Sequence, residues 1–195
     1  PCIADILSLC AWNGSPDMVY EFASTSKITI PGAGMAVMAA SQANIQYLSG
    51  LMDAQMISCD KINQLRQVRF LKDKAHTLEL MQRHAALLRP RFDAFLTELE
   101  KLRPLEIARW TQPQGGYFIS LYTLPGCAKR TVELCRQAGL VMTQAGATYP
   151  YGKDPEDRHI RIAPSYPALE DVKTAAKVFC TCLKLAALEK QNLVN

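Results

Sequence analysis

The chain has 195 residues, 49% of them hydrophobic and 21% charged, with a formal net charge of +4. With no run of eighteen apolar residues, this composition fits one large globular domain or parts of two, and argues against a membrane span or a disordered tract. The positive balance draws on Arg66, Arg69, Lys72, Lys74, Arg83, Arg89 and Arg91, spread over helical patterns that also carry acids. No aromatics are interleaved there for base stacking, so a solvated face is read and nucleic acid is set aside as a partner.

Pro1 to Ala11, with Ile3, Ile6, Leu7 and Cys10 at helical spacing, reads as the tail of an apolar helix, and no methionine opens the chain. The expectation is the later part of a longer protein, with no signal-peptide order at this start. Asn13-Gly14-Ser15-Pro16-Asp17 is a turn cluster, followed by a strand from Met18 to Ala23. That strand delivers Ser24-Thr25-Ser26-Lys27 into the loop Pro31-Gly32-Ala33-Gly34. Met35 to Ala40 is an apolar run compatible with a buried strand or a helix start, and Ser41 is placed as the N-cap of a helix through Ile45 and Leu48.

From Asp60 a helical region of about forty residues is expected, with Met81, Ala85, Leu88, Phe92, Phe95, Leu99 and Leu102 on one face. Pro90 inside it predicts a kink or break near Arg89. Leu105 to Trp110 and Tyr117 to Tyr122 read as strands joined across Gly115-Gly116, and Ala128 to Ala138 as a helix closed by Gly139. Leu140 to Thr143 is expected as a third strand and His159 to Ala163 as a fourth. Pro167 opens a last helix whose Leu169, Val172, Ala176, Phe179, Leu183 and Ala186 form an apolar stripe. The result is an α/β protein, with a small α/β domain from about Asp60 to the end.

Seven cysteines, an odd number without a Cys-x-x-Cys pair, point to reduced, core-packed thiols and a cytoplasmic setting. Cys180 and Cys182 do not share a helix face, and His76, His84 and His159 have no metal spacing, so no metal site and no histidine role are assigned.

Lysine is a poor nucleophile while protonated, with an ordinary pKa near ~10.4; a cofactor aldehyde overcomes this by forming an imine with it. Lys27 is the candidate for that chemistry. Ser24 and Ser26 would project their hydroxyls from the same side of an extended chain, able to donate to a phosphate. Arg161, embedded in the apolar strand Ile160-Arg161-Ile162-Ala163, needs a partner for its planar fork, which a substrate carboxylate supplies. A structural salt bridge is the alternative for Arg161, and a solvated loop position is expected for Arg158.

The pattern Ser24-Thr25-Ser26-Lys27, then Gly115-Gly116-Tyr117-Phe118, then Arg161-Ile162-Ala163-Pro164-Ser165, resembles the fold type I pyridoxal-phosphate aminotransferases. The wording around these motifs is most similar to a bacterial subgroup described as aspartate aminotransferases. The resemblance implies the C-terminal part of a PLP-dependent transferase fold: residues 1–59 would be the end of the large mixed-sheet, cofactor-binding domain, and 60–195 the interdomain helix and small domain. It implies pyridoxal 5′-phosphate as cofactor, Lys27 as the imine lysine, Ser24 and Ser26 beside the cofactor, and Arg161 for the α-carboxylate. Gly115 to Phe118 would set a turn and an aromatic wall near the substrate entrance, and Ala145 to Gly152 a loop facing the active site. A homodimer and amino transfer between an amino acid, L-aspartate by resemblance, and a 2-oxo acid follow as expectations.

Two departures stand out. Met35 occupies the place of the family's phosphate-binding arginine, and Ala145 that of a proline. The family's residues that stack on and pair with the cofactor ring lie upstream of its lysine, so the 195 residues alone are expected to be inactive. No motif requires a second carboxylate; Arg69 and Lys153 are candidates. The rival reading is a non-catalytic, effector-binding module of a transcription regulator, and a third is a structural relic.

Overall fold

The computed structural model describes residues 4–192. It divides into two compact units, one reaching to Arg83 and the other starting at His84. Of the expected first helix, Pro1, Cys2 and Ile3 lie outside the described residues. The remainder forms α1 (Ile6–Trp12), capped by Asp5, whose side chain accepts from the Ser8 N–H.

In the first unit, β1 (Tyr20–Ser24) and β2 (Ala36–Ala40) form an antiparallel pair with Tyr20 opposite Ala40 and Ser24 opposite Ala36. The ambiguous run after Met35 is therefore a strand, and residues 25–35 are the connection that carries Lys27. Ser41 caps α2 (Gln42–Gln55) as expected, accepting from the Asn44 N–H. The helical region then breaks at Lys72, whose φ of 58° is left-handed, between α3 (Lys61–Leu71) and α4 (Lys74–Glu100). Asp73 restarts it by accepting from the His76 N–H at 2.8 Å. Gln67 on α3 is the one buried residue among the described residues of this unit.

The expected break near Arg89 is absent, since α4 runs through Pro90. Proline leaves a carbonyl of the preceding turn without its N–H. For Pro90 that carbonyl is Ala86; the Arg91 guanidinium donates to the next one, Leu87, and at 2.8 Å to that of Pro167, which tethers the helix just past the proline. Burial of Phe92, Phe95 and Leu99 holds the following turns in place.

The second unit contains the core. Its sheet has the order β3 (Ala108–Trp110), β4 (Ile119–Thr123), β5 (His159–Ile162), antiparallel throughout. Ile119, Leu121, Ile160 and Ile162 are buried on one face, and Ser120, Tyr122, His159 and Arg161 alternate with them. Against the apolar face lie α5 (Ala128–Gln137), closed by Gly139 at φ 84°, and α6 (Leu169–Asn192).

Leu140 to Thr143 is not a strand. Leu140 and Met142 pack against the core while Val141 is exposed, so the alternation is real, but a strand also needs a ladder partner and β5 pairs with β4 instead. Ile119 has no exposed surface. Ile119→Val is expected to lower the unfolding free energy by ~0.5–1.5 kcal/mol; an unmoved denaturant midpoint would contradict close packing there.

Cys127, Cys135, Cys180 and Cys182 are buried. Burial pushes the Cys180 thiol up to about 12, and burial with Cys182 alongside does the same for Cys135. The Cys180 and Cys135 thiols therefore stay protonated and inert. Among the described residues, no helix is long and apolar enough to cross a membrane.

Candidate functional site

Lys27 lies in a tight turn. The Thr25 carbonyl accepts from the Ile28 and Thr29 N–H groups, each at 2.9 Å, and from Thr29 Oγ1 at 3.1 Å. The chain is thus coiled at Ser26, not extended as the residue spacing suggested. The turn nonetheless brings the two serines together: Ser24 Oγ and Ser26 Oγ are 2.6 Å apart, and the Ser26 N–H donates to Ser24 Oγ at 3.1 Å. Either hydroxyl can donate in that pair, so one of the two serine protons is left for a ligand oxygen. Lys27 follows directly and is exposed.

Met35 closes this connection through its backbone: the Thr25 N–H donates to the Met35 carbonyl at 2.8 Å, and the Met35 N–H to Thr25 Oγ1 at 2.9 Å. Gly34 beside it is required by space, because a Cβ would come 2.6 Å from Ser26 Oγ and 3.0 Å from Ser26 Cα. The Ala33 carbonyl accepts from Asn63 Nδ2 at 3.1 Å and also from Gln67 Nε2. The remaining amide oxygens, Asn63 Oδ1 and Gln67 Oε1, are buried with no hydrogen-bond partner among the described residues. Leaving such an acceptor unpaired costs about 1–3 kcal/mol. Nothing in the periodicity of α3 marked these two amides.

Arg161 belongs to the second unit. Its guanidinium carbon stands 4.6 Å from the Phe118 ring centroid, a stacked cation. Its Nε is buried with no hydrogen-bond partner among the described residues. It lines a pocket of about 180 Å³ with Phe95, Met142, Ala163, Pro167 and Val172. The structure thus brings Phe118 of the glycine-aromatic motif onto the arginine, and among the described residues no salt bridge to Arg161 is formed.

The loop before β5 is folded by Asp154, which is buried and accepts from the backbone N–H groups of His159 and Arg158 at 2.7 Å each and of Glu156 at 3.1 Å. Arg158 is half-buried, not solvated: Nε donates to the Thr123 carbonyl at 3.1 Å and Nη1 to Glu156 at 3.0 Å. His159, to which spacing gave no role, is buried with Nδ1 2.7 Å from Thr148 Oγ1 and its ring against Tyr122 and Tyr149. Burial, reinforced by Arg161 and opposed by Asp154, holds this imidazole below its ordinary pKa.

For Asp154, burial works against ionisation, but the three backbone donors win and hold the carboxyl below its ordinary 3.8. A depressed folded value means that the stabilisation is fully present above the unfolded pKa and is lost as pH falls through the folded one. Asp154→Asn should therefore flatten the stability profile below about pH 4; an equally steep acid limb in the variant, followed by chemical denaturation, would exclude this carboxylate. Among the described residues, no group of three or more His, Cys, Asp or Glu is placed to hold a metal ion.

The first unit thus presents a lysine directly after two paired hydroxyls, and the second a stacked guanidinium with a buried, unpartnered edge among the described residues on a pocket wall. Comparison with known proteins gives the family. The family model for aspartate amino-transferase matches residues 1–194, and the chain belongs to that family. An aminotransferase of Mycolicibacterium smegmatis is 47% identical over 187 residues, 95% of this chain and 44% of the relative. An aspartate aminotransferase of Corynebacterium glutamicum is 40% identical over 190 residues, 97% of this chain and 44% of its own length. The crystal structure of an aspartate transaminase from the same organism matches with a TM-score of 0.91 at 40% identity, over 97% of this chain and 45% of its own. The α-aminoadipate aminotransferase of Thermus thermophilus, solved with N-(5′-phosphopyridoxyl)-L-leucine, shares the fold at a TM-score of 0.77 and 18% identity, over 95% of this chain and 46% of its own. The chain thus spans less than half the length of the curated relatives it matches and has the C-terminal part of the PLP-dependent aminotransferase fold.

Proposed function

We propose that the chain supplies the cofactor lysine and the carboxylate-binding arginine of a pyridoxal 5′-phosphate-dependent aminotransferase that takes L-aspartate as amino donor and a 2-oxo acid as acceptor. The observation that carries this reading is Arg161, with Nε buried and without a hydrogen-bond partner among the described residues, on a pocket wall. Family membership and the pyridoxyl compound bound by a relative of the same fold support the cofactor, and the name of the Corynebacterium relative supports the donor.

The residues fit the group. When bound, pyridoxal 5′-phosphate supplies an aldehyde that takes up amines and a ring that draws electrons from the α-carbon. Lys27 would hold it by its amine and would take and return the α-proton of the donor. Ser24 donates its hydroxyl to a phosphate oxygen, with Ser26 fixing its rotamer. Arg161 grips the α-carboxylate by paired N–H donors, held in plane by Phe118. Arg69 or Lys153 is the candidate for the donor's second carboxylate.

On this reading residues 1–59 close the cofactor-binding domain and 60–195 form the interdomain helix and small domain. The enzyme works as a homodimer in the cytoplasm, a setting that accords with four buried free cysteines. Relatives more than twice as long support the further reading that these 195 residues do not turn over by themselves. Borohydride reduction of the holoprotein, followed by peptide mapping, should place the pyridoxyl group on Lys27. A label on another lysine, or none, would end the assignment.

A further inference from the structure

We infer that Asn63 and Gln67 are positioning residues for Lys27, two amides of α3 that grip the Ala33 carbonyl and through it set the connection presenting Ser24, Ser26 and the lysine. This rests on the reading of Lys27 as the cofactor lysine. Four residues apart, the two side chains share one face of α3. Both direct their N–H groups to the same carbonyl, whose two lone pairs they occupy. In doing so they leave Asn63 Oδ1 and Gln67 Oε1 buried and unpartnered among the described residues. An apolar side chain would fill the same space without stranding an acceptor. What these amides add is donation to Ala33.

The grip reaches Lys27 through backbone already in contact. Ala33 is tied to Ile30 by its own N–H at 3.1 Å, and Gly32, at φ 76°, makes the bend that turns the chain back. Gly34 then lies so close to Ser26 that no side chain fits between them. Met35 is bonded both ways to Thr25, the residue whose carbonyl closes the turn around Lys27. Releasing Ala33 frees the arm from Ile30 to Gly34, and Ser26 loses the wall that fixes its hydroxyl on Ser24. The lysine then samples directions unrelated to the reacting carbon.

Hydrogen exchange by mass spectrometry on the holoprotein tests this, with Gln67→Leu, Gln67→Glu and Asn63→Ala. Peptides covering residues 24–35 should exchange at least about tenfold faster in each variant, while those from β4 and α6 keep the parent's protection. Amino transfer should show kcat lowered about ten- to a hundredfold with KM for the amino donor within about twofold, the split expected when a bound substrate meets a misdirected amine. Gln67→Glu, which keeps the shape but loses the amide donors, should behave like Gln67→Leu. If Gln67→Leu fails to fold, Asn63→Ala, at a half-buried position, carries the same test. Parent-like exchange over residues 24–35 together with parent kcat in Asn63→Ala and in the folded Gln67 variants would overturn the proposal. Failure of borohydride to label Lys27 in the parent would instead overturn the reading of the lysine, and the exchange result would still decide whether the amides hold the loop.

Discussion

Lys27→Ala is expected to abolish amino transfer in the holoprotein while leaving the fold in place. Lys27 is exposed in a turn closed by backbone N–H groups of Ile28 and Thr29 donating to the Thr25 carbonyl, bonds that do not run through its side chain. Loss of the proton transfer alone accounts for ~10²–10⁴-fold in rate, and loss of the attachment adds to it. Lys27→Arg is the sharper control: it retains the positive charge but offers no nucleophile at neutral pH, so it should be as inactive as Lys27→Ala. Single-turnover absorbance with L-aspartate reads both, and a variant that converts the donor at the parent's rate would remove Lys27 from the chemistry.

Arg161→Ala should separate function from stability. Removing one partner of a buried charged pair typically costs ~2–5 kcal/mol, roughly two to three decades in kcat/KM. Arg161→Lys should recover only part of that, because an ammonium lacks the planar fork and stacks less well on Phe118. The thermal midpoint of Arg161→Ala, by contrast, should not fall with the activity. In the parent, Nε is a buried donor with no hydrogen-bond partner among the described residues, so deleting it removes a cost as well as a contact. Unchanged kinetics with both monocarboxylic and dicarboxylic donors would refute the role, and a collapse of stability would mark Arg161 as structural.

How much of this was legible in the chain follows from the reach of each physical signal. Ser41 and Gly139 mark a helix start and a helix end by chemistry confined to one turn, and both stand where their neighbours required. The stripe from Val172 to Ala186 is one face of a helix, and its members are buried. Ser24, Ser26, Lys27 and Arg161 could be picked out because a short polar cluster and a charge in an apolar strand are local anomalies.

Other features depend on residues distant in sequence. Leu140 to Thr143 alternates like a strand, yet pairing is a property of two segments, and β4 pairs with β5 instead. Asp154 looks like any loop acid until three backbone N–H groups converge on it. Pro90 predicts a break when only its own helix is considered, but Arg91 and the buried phenylalanines carry the helix across it. Gln67 is an ordinary helix residue by propensity, and only the return of the chain at Gly32 sets the Ala33 carbonyl before it. The sequence by itself thus marked the residues proposed for the chemistry and where most helices start and stop, because those signals act within a few residues. Tertiary structure alone decided which buried polar groups meet, because a hydrogen bond is specified by two positions in space and the order of residues along the chain constrains only one of them.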